Sequence, residues 1–106
     1  MKLKEMDNEY TLLKALKDNP EITQRQLSKE LGLSLGKTNY LMRALMDKGW
    51  VKLTNLRRSD NKVGYLYIIT PKGITKKGVL AKNFLERKSK EYYKLKKEIE
   101  ILKKEL

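Results

Sequence analysis

The sequence contains no cysteine and no histidine. The absence of cysteine excludes disulfide bonds, thiolate nucleophiles and thiolate metal ligands. The absence of histidine removes the most common general base and the most common metal ligand of proteins. A nucleophile such as Ser34 or Tyr10 would need an activating partner, and the sequence suggests none. We therefore expect neither an enzyme nor a metal or cofactor site.

Long apolar runs are also absent. No segment approaches the roughly 20 apolar residues that a membrane-spanning helix needs. The first residues carry an early glutamate and no apolar stretch, so they do not have the pattern of a secretory signal. We expect a cytoplasmic protein without a membrane partner, folded around one core because 40% of its 106 residues are hydrophobic.

Acidic residues are few, with 13 Asp and Glu against 25 Lys and Arg, and the formal net charge is +12. A basic protein of this size attracts polyanions, and double-stranded DNA is the obvious candidate. Charge alone leaves a second interpretation open, because a lysine-rich protein from an A·T-rich or thermophilic genome would have a similar composition.

The first part of the chain has the pattern of two helices. Apolar residues at helical spacing predict a first helix from about Asp7 to Lys17, which Pro20 ends. Thr23, followed by Gln26 three residues later, has the form of a capping box at the start of a second helix. Gly32 suits the left-handed residue that ends this helix.

A third helix begins almost at once. Ser34 predicts its N-cap and Gly49 its C-terminal stop. The turn of residues 32–34 is short and contains glycine, as in a helix-turn-helix. The inward face of the third helix is predicted to carry Thr38, Leu41, Met42 and Leu45.

The period of the pattern then changes. Residues 50–56 and 65–70 are rich in strand formers and flank a polar segment, so they predict a two-stranded hairpin. Thr70 and Pro71 have the form of an N-cap and first helical residue, and the helix they open has two early glycines and strong helix formers from 81 onward. The expected fold is mainly α (α+β): a winged helix-turn-helix over residues 7–70, followed by a dimerisation helix over residues 71–106.

In a helix-turn-helix, the second helix of the motif lies in the major groove of DNA. Arg43 suits a guanine edge and Asn39 an adenine edge. Any amphipathic helix also has polar residues outside, which is the alternative interpretation. The predicted DNA contacts of the third helix are Ser34, Gly36, Lys37, Asn39, Tyr40 and Arg43.

Two further basic or polar groups flank this helix. The hairpin tip carries Arg57, Arg58 and Lys62, which could reach phosphates or the minor groove. Gln24 and Arg25 begin the second helix, where free N–H groups favour phosphate contacts. A solvated hairpin tip without a DNA role would also be polar.

The motifs together resemble a known family. Several of them are similar to motifs of winged-helix regulators. These are a capped helix, Leu-Gly followed by Leu-Ser, a third helix that leads into a wing, and Ile-Thr-Pro-Lys-Gly where the chain leaves the wing. More narrowly, the sequence is similar to the exopolysaccharide-associated branch of MarR-like regulators, which implies repression or activation near surface-polysaccharide genes. The segments that carry the resemblance are 23–34, 45–51 and 69–73, and for the branch 34–40, 49–51 and 64–67.

The sequence also differs from larger MarR proteins in the helices at its ends. Larger MarR proteins build their dimer from extra helices at both ends, and many bind phenolic ligands there. This sequence predicts little N-terminal extension and one C-terminal helix. The resemblance therefore does not extend to the ligand pocket, and no small-molecule effector is evident from the sequence.

From residue 81 onward, the apolar residues repeat with a heptad period typical of a coiled coil. Glutamates occupy g positions and lysines occupy e positions, which favours a parallel pair through Glu91–Lys96′ and Glu98–Lys103′. A helix folded back on its own domain is the alternative. The predicted homodimer interface is Leu85, Tyr92, Leu95, Ile99, Leu102 and Leu106.

The function that these patterns favour is sequence-specific binding of double-stranded DNA by a homodimeric transcriptional regulator. A protein that coats DNA without sequence preference is one alternative, and its affinity would be similar for all duplexes. A winged-helix adaptor that binds proteins is another, and it would lack affinity for DNA.

Overall fold

The structure, a computed structural model, describes the backbone of residues 3–57 and 63–106 and the side chains of residues 7–55 and 65–106. Three helices lead into a two-stranded antiparallel wing and then into a long helix, which confirms the predicted fold class. Within these residues no helix has the length and apolar character to cross a bilayer. The elements are α1 (Leu3–Asp18), α2 (Gln24–Leu31), α3 (Leu35–Asp47), β1 (Val51–Arg57), β2 (Val63–Ile69) and α4 (Pro71–Lys104).

Local hydrogen bonds define the start and end of α2. The Gln26 amide donates to Thr23 Oγ1 at 3.1 Å, and the Thr23 amide donates to Gln26 Oε1 at 2.9 Å. These reciprocal bonds form the predicted capping box. Gly32 has a φ of 65°, the left-handed conformation that lets the chain turn sharply into α3.

The start of α3 is capped in the same way. The Lys37 amide donates to Ser34 Oγ at 3.1 Å. Thr38 is fully buried, and its hydroxyl is satisfied because it donates to the Ser34 carbonyl at 2.9 Å. The four residues predicted for the inward face of α3 are all buried.

The core lies where α1, α2, α3, the base of the wing and the first turns of α4 meet. Full burial of one such leucine side chain stabilises the fold by about 1.5–3 kcal/mol. The buried apolar residues are Leu12, Leu13, Leu16, Ile22, Leu27, Leu41, Met42, Leu45, Val51, Tyr67 and Leu80.

The wing is attached to the helices at its base. Its strands pair in antiparallel register, with Val51 opposite Ile69 and Leu53 opposite Tyr67. The Tyr67 amide also donates to the Pro20 carbonyl at 2.9 Å. This bond connects β2 to the loop before α2, so the direction of the wing is fixed relative to the helix-turn-helix.

Helix α4 runs without a break through Gly73 and Gly78. Gly73 is buried, and a Cβ atom on it would collide with the Trp50 carbonyl oxygen and lie 2.9 Å from Ile69 Cγ2. Because the helix passes so close to the wing, glycine is required there for packing. The first of the two early glycines therefore fits the helix against the wing.

The first half of α4 packs on α1, and the second half projects into solvent. The Tyr10 ring stacks on Phe84 at a centroid distance of 5.3 Å, and Arg87 pairs with Asp7. Every residue from 90 to 106 is exposed. The described residues therefore extend over 65 × 26 × 24 Å, and their radius of gyration is 17.9 Å. A compact domain of this length would have about 13 Å.

Candidate nucleic-acid interface

The outward face of α3 is polar and open to solvent. Ser34, Gly36, Tyr40 and Arg43 are exposed. Lys37 and Asn39 are half-buried. The six residues predicted to contact DNA thus lie on α3 or at its N-cap, away from the buried face, and Lys37 and Asn39 at the flanks are partly covered by neighbours.

Lys37 and Tyr40 lie together near the start of α3. The Lys37 ammonium is 5.0 Å from the centroid of the Tyr40 ring. This cation–π contact keeps the charge beside an aromatic ring that is 61% exposed. A phosphate approaching α3 would meet a positive charge and a phenolic hydroxyl at the same point.

The first residue of α3 is an exposed leucine that sequence reasoning missed. Leu35 is 46% exposed although it is a large apolar residue. It stands next to Gly36, where no atom outside the helix backbone comes within 4 Å of the Cβ position. An apolar side chain at the start of such a helix can contact a thymine methyl group. Helical periodicity at a helix end gave no signal for it.

Asn39 is held by a side chain of α2. Its Nδ2 donates to Gln24 Oε1 at 3.1 Å, and Gln24 Nε2 in turn donates to the Tyr67 hydroxyl at 3.4 Å. Tyr67 lies in β2 and is 7% exposed. These bonds connect α3, α2 and the wing, and they place Gln24 between two partners, whereas Arg25 beside it is exposed.

The wing follows directly from α3. Gly49 has a φ of 74°, which permits the turn from the helix into β1. The described pairing ends with Arg57 opposite Val63. The side chain of Arg57 lies outside the described residues, as do Arg58 and Lys62, so these predicted contacts stay predictions.

An apolar groove lies between the end of α1, the wing and the start of α4. Its volume is about 460 Å³. Its lining includes Leu16, Pro20, Leu66, Ile68, Ile74 and Ala81.

Acidic groups do not gather in the part of the chain whose side chains are described. No three of them are close enough to hold one metal ion there. The ion pairs include Lys48–Glu9 at 3.0 Å, in which Glu9 is buried, and Lys88–Glu91 at 3.3 Å within α4. The charge of Glu9 is thus balanced by Lys48 inside the fold, and it does not oppose the approach of an anion.

The residues predicted for the dimer seam are exposed along α4. Each of them is at least 43% exposed, which is unusual for large apolar side chains. The Tyr92 ring forms an edge-on aromatic pair with its neighbour Tyr93, at a centroid distance of 5.4 Å. The helix therefore presents an apolar stripe that the described part of this chain does not cover.

Comparison with known proteins identifies the first part of the chain. Residues 7–52 match a family model described as winged helix-turn-helix DNA-binding. This segment contains α2, the turn and α3, so the motif predicted from the sequence and the domain model coincide. No curated protein matches the sequence.

Several solved structures have the same fold. MarR of Staphylococcus aureus, solved with salicylate and kanamycin, is 13% identical over 81% of this chain, with a TM-score of 0.57. FabT of Streptococcus pneumoniae, solved with DNA, is 24% identical over 89% of this chain, with a TM-score of 0.55. PcaV of Streptomyces coelicolor, a transcriptional regulator, is 17% identical over 93% of this chain, with a TM-score of 0.59.

The matched proteins differ from this chain in length. The match spans 56% of the staphylococcal protein, 61% of the pneumococcal protein and 79% of the Streptomyces protein. At these identities the likeness establishes the fold alone, which is the winged helix expected from the sequence motifs.

Proposed function

We propose that this chain, which has a winged helix-turn-helix domain of the DNA-binding kind and a MarR-like fold, is a transcriptional regulator that binds specific DNA sequences as a homodimer. The observation that carries the proposal is the outward face of α3, which is exposed, basic and polar at the N-terminal end of the helix. A helix of this kind enters the major groove by that end.

The residues of α3 have distinct proposed roles. Arg43 is exposed and reads a guanine edge, and Asn39 reads an adenine edge. Lys37 and Tyr40 bind a backbone phosphate together, which their cation–π contact supports. Gly36 has no Cβ, and Ser34 begins the helix, so the DNA backbone can come close to this end.

Phosphates on either side of the groove are bound by neighbouring elements. Arg25 is exposed near the start of α2, where helix N–H groups also attract anions. Gln24 begins the same helix. The wing adds the basic side chains of Arg57, Arg58 and Lys62. These contacts hold the protein on the duplex without reading its sequence.

The proposed homodimer forms through α4, and residues 7–70 and 71–106 then act as a binding domain and a dimerisation helix. The exposed apolar stripe supports this proposal because a seam of this length would otherwise face water. A parallel pair joins Glu91 to Lys96′ and Glu98 to Lys103′. Two recognition helices on one axis would read a palindromic or repeated site.

The biological setting is part of the proposal. The target is chromosomal DNA, so the proposed location is the cytoplasm. The exopolysaccharide-associated branch stays a prediction from the sequence motifs.

The experiment that tests the function is fluorescence anisotropy on the full chain. One duplex comes from upstream of the protein's own gene, and a scrambled duplex of equal length is the control. Measurement at about 150 mM salt reduces loose electrostatic binding. We expect at least about 10³-fold preference for the upstream duplex.

Other outcomes separate the alternatives. If the upstream duplex binds no better than the control, a selection from random duplexes decides between an operator elsewhere and a protein that coats DNA. If neither duplex binds, the DNA-binding proposal is wrong and a protein-binding adaptor takes its place.

A further inference from the structure

Three side chains from three elements form one hydrogen-bonded series. The Tyr67 hydroxyl in β2 accepts from Gln24 Nε2 at 3.4 Å, and Gln24 Oε1 in α2 accepts from Asn39 Nδ2 at 3.1 Å. Tyr67 is buried, and Gln24 and Asn39 are half-buried. We refer to these three residues as the amide series.

The buried end of the amide series is held firmly. The Tyr67 backbone donates to the Pro20 carbonyl at 2.9 Å, and its ring belongs to the core. Gln24 is the first residue of α2, a helix that starts with a complete capping box. The glutamine amide therefore extends from a fixed backbone position toward a fixed hydroxyl.

The Asn39 amide keeps a donor and an acceptor for a ligand. An asparagine has one carbonyl acceptor and two N–H donors. One N–H of Asn39 is used by Gln24, so the carbonyl Oδ1 and the second N–H remain for a ligand. An adjacent acceptor and donor are what the major-groove edge of adenine requires, since its N6 donates and its N7 accepts.

Gln24 also fixes which end of the Asn39 amide is which. In the structure Gln24 turns its oxygen toward α3, and while it keeps this orientation the nitrogen of Asn39 must face that oxygen, because the oxygen only accepts. A rotation of the amide by half a turn would bring two oxygens together and lose the bond. The side chain is thus held in one orientation before DNA arrives, which removes part of the ordering cost of binding.

From this geometry we infer that Gln24 is a positioning residue, which orients Asn39 to read an A·T base pair, and that Tyr67 holds Gln24 in place from the wing. The inference rests on the proposed sequence-specific function and adds the residue that sets its specificity at one position. The predicted phosphate contact of Gln24 is compatible with it, because Nε2 has a second N–H.

The test is a selection from a pool of duplexes randomised over about 20 base pairs, enough for two half-sites. Wild type, Asn39→Ala and Gln24→Ala are compared as full chains, and the enriched sequences are determined. Asn39→Ala identifies the base pair that Asn39 reads. We expect Gln24→Ala to reduce the preference for adenine at that same position by about fivefold or more, the lower range for one bidentate base contact.

Two controls separate positioning from a general structural effect. Glu30→Ala changes an exposed side chain near the other end of the same helix and leaves the capping box intact, so the base preference stays unchanged. The double variant Gln24→Ala/Asn39→Ala is expected to have the preference of Asn39→Ala alone, because Gln24 acts through Asn39. Tyr67→Phe gives a smaller loss at the same base pair.

The amide orientation is also measured without DNA. In ¹⁵N NMR spectra of the full chain, the Asn39 side-chain amide is expected to become more mobile in Gln24→Ala and to stay ordered in Glu30→Ala. If wild type enriches a motif while Gln24→Ala keeps the full adenine preference, or loses affinity equally for all sequences, the positioning role is wrong. If wild type enriches no motif, the proposed function fails, and an ordered Asn39 amide then has only a structural role.

Discussion

Among single residues, some of the proposed DNA contacts read the base sequence and others bind the DNA backbone. Arg43 is exposed on the outward face of α3, and Arg25 is exposed near the start of α2. Both are arginines with the same charge, so a difference between their variants reports position and not charge.

Arg43→Ala is expected to reduce discrimination between specific and scrambled duplex by about 5- to 150-fold, the range for one bidentate contact with guanine. Arg25→Ala is the matched control, and it should weaken binding to both duplexes alike and make the salt dependence less steep. Anisotropy titrations at several salt concentrations measure both effects. Equal losses on specific and scrambled duplex for both variants would mean that Arg43 does not read a base.

Two glycines of α4 differ in their surroundings although the sequence presents them alike. A Cβ atom at Gly73 would collide with the Trp50 carbonyl, whereas no atom lies within 4 Å of that position at Gly78. The difference arises because the first turn of α4 passes over Trp50, just before the start of β1. The sequence contains no local signal for such a contact between residues 23 positions apart.

Gly73→Ala is expected to lower the free energy of unfolding by about 1–3 kcal/mol, because backbone atoms on both sides must move. Gly78→Ala, in the same helix and in open space, should raise it by up to about 1 kcal/mol through helix propensity. Thermal and urea denaturation followed by circular dichroism measure both. A neutral Gly73→Ala variant would show that the contact between α4 and Trp50 is looser than the distances indicate.

At the scale of the elements, the sequence predicts helix ends well where they depend on residues close by in the chain. Thr23, Gly32 and Ser34 act on backbone groups a few positions away, so their residue types are enough to predict the ends of α2 and the start of α3. The bond of Gln24 with Tyr67 spans 43 positions and depends on how the wing packs. For this reason the sequence could suggest Gln24 as a DNA contact but could not suggest its link to Asn39.

The capping box of α2 permits a prediction at the scale of one element. Thr23→Ala removes the acceptor for the Gln26 amide and is expected to cost about 1 kcal/mol of stability. Thr11→Ala is the control, because Thr11 is exposed within α1 and its hydroxyl donates to the Asp7 carbonyl without capping a helix. Urea denaturation should show the larger loss for Thr23→Ala, and equal values for the two variants would contradict the proposed importance of the cap.

At the scale of the whole molecule, the projecting half of α4 has no packing partner within the described part of one chain. Residues 90–106 are all exposed, and the apolar stripe within them would remain in contact with water. Polar helices of this length are stable only when neighbouring side chains or a partner helix support them. In the proposed homodimer, a second copy of the same helix would satisfy this need and would bring two copies of α3 onto one axis.

In the proposed dimer, charge favours a parallel pairing of the two helices, and charge reversal tests this direction. In a parallel dimer Glu98 faces Lys103′. Glu98→Lys then places two lysines opposite each other at both symmetry-related contacts, and it is expected to weaken dimerisation by about 1–2 kcal/mol. In an antiparallel dimer glutamates face each other, so the same substitution would strengthen it. Glu100→Lys is the matched control, because its heptad position points away from the seam. Sedimentation equilibrium at low salt measures all three chains, and Lys103→Glu added to Glu98→Lys should restore the wild-type association constant if the helices are parallel.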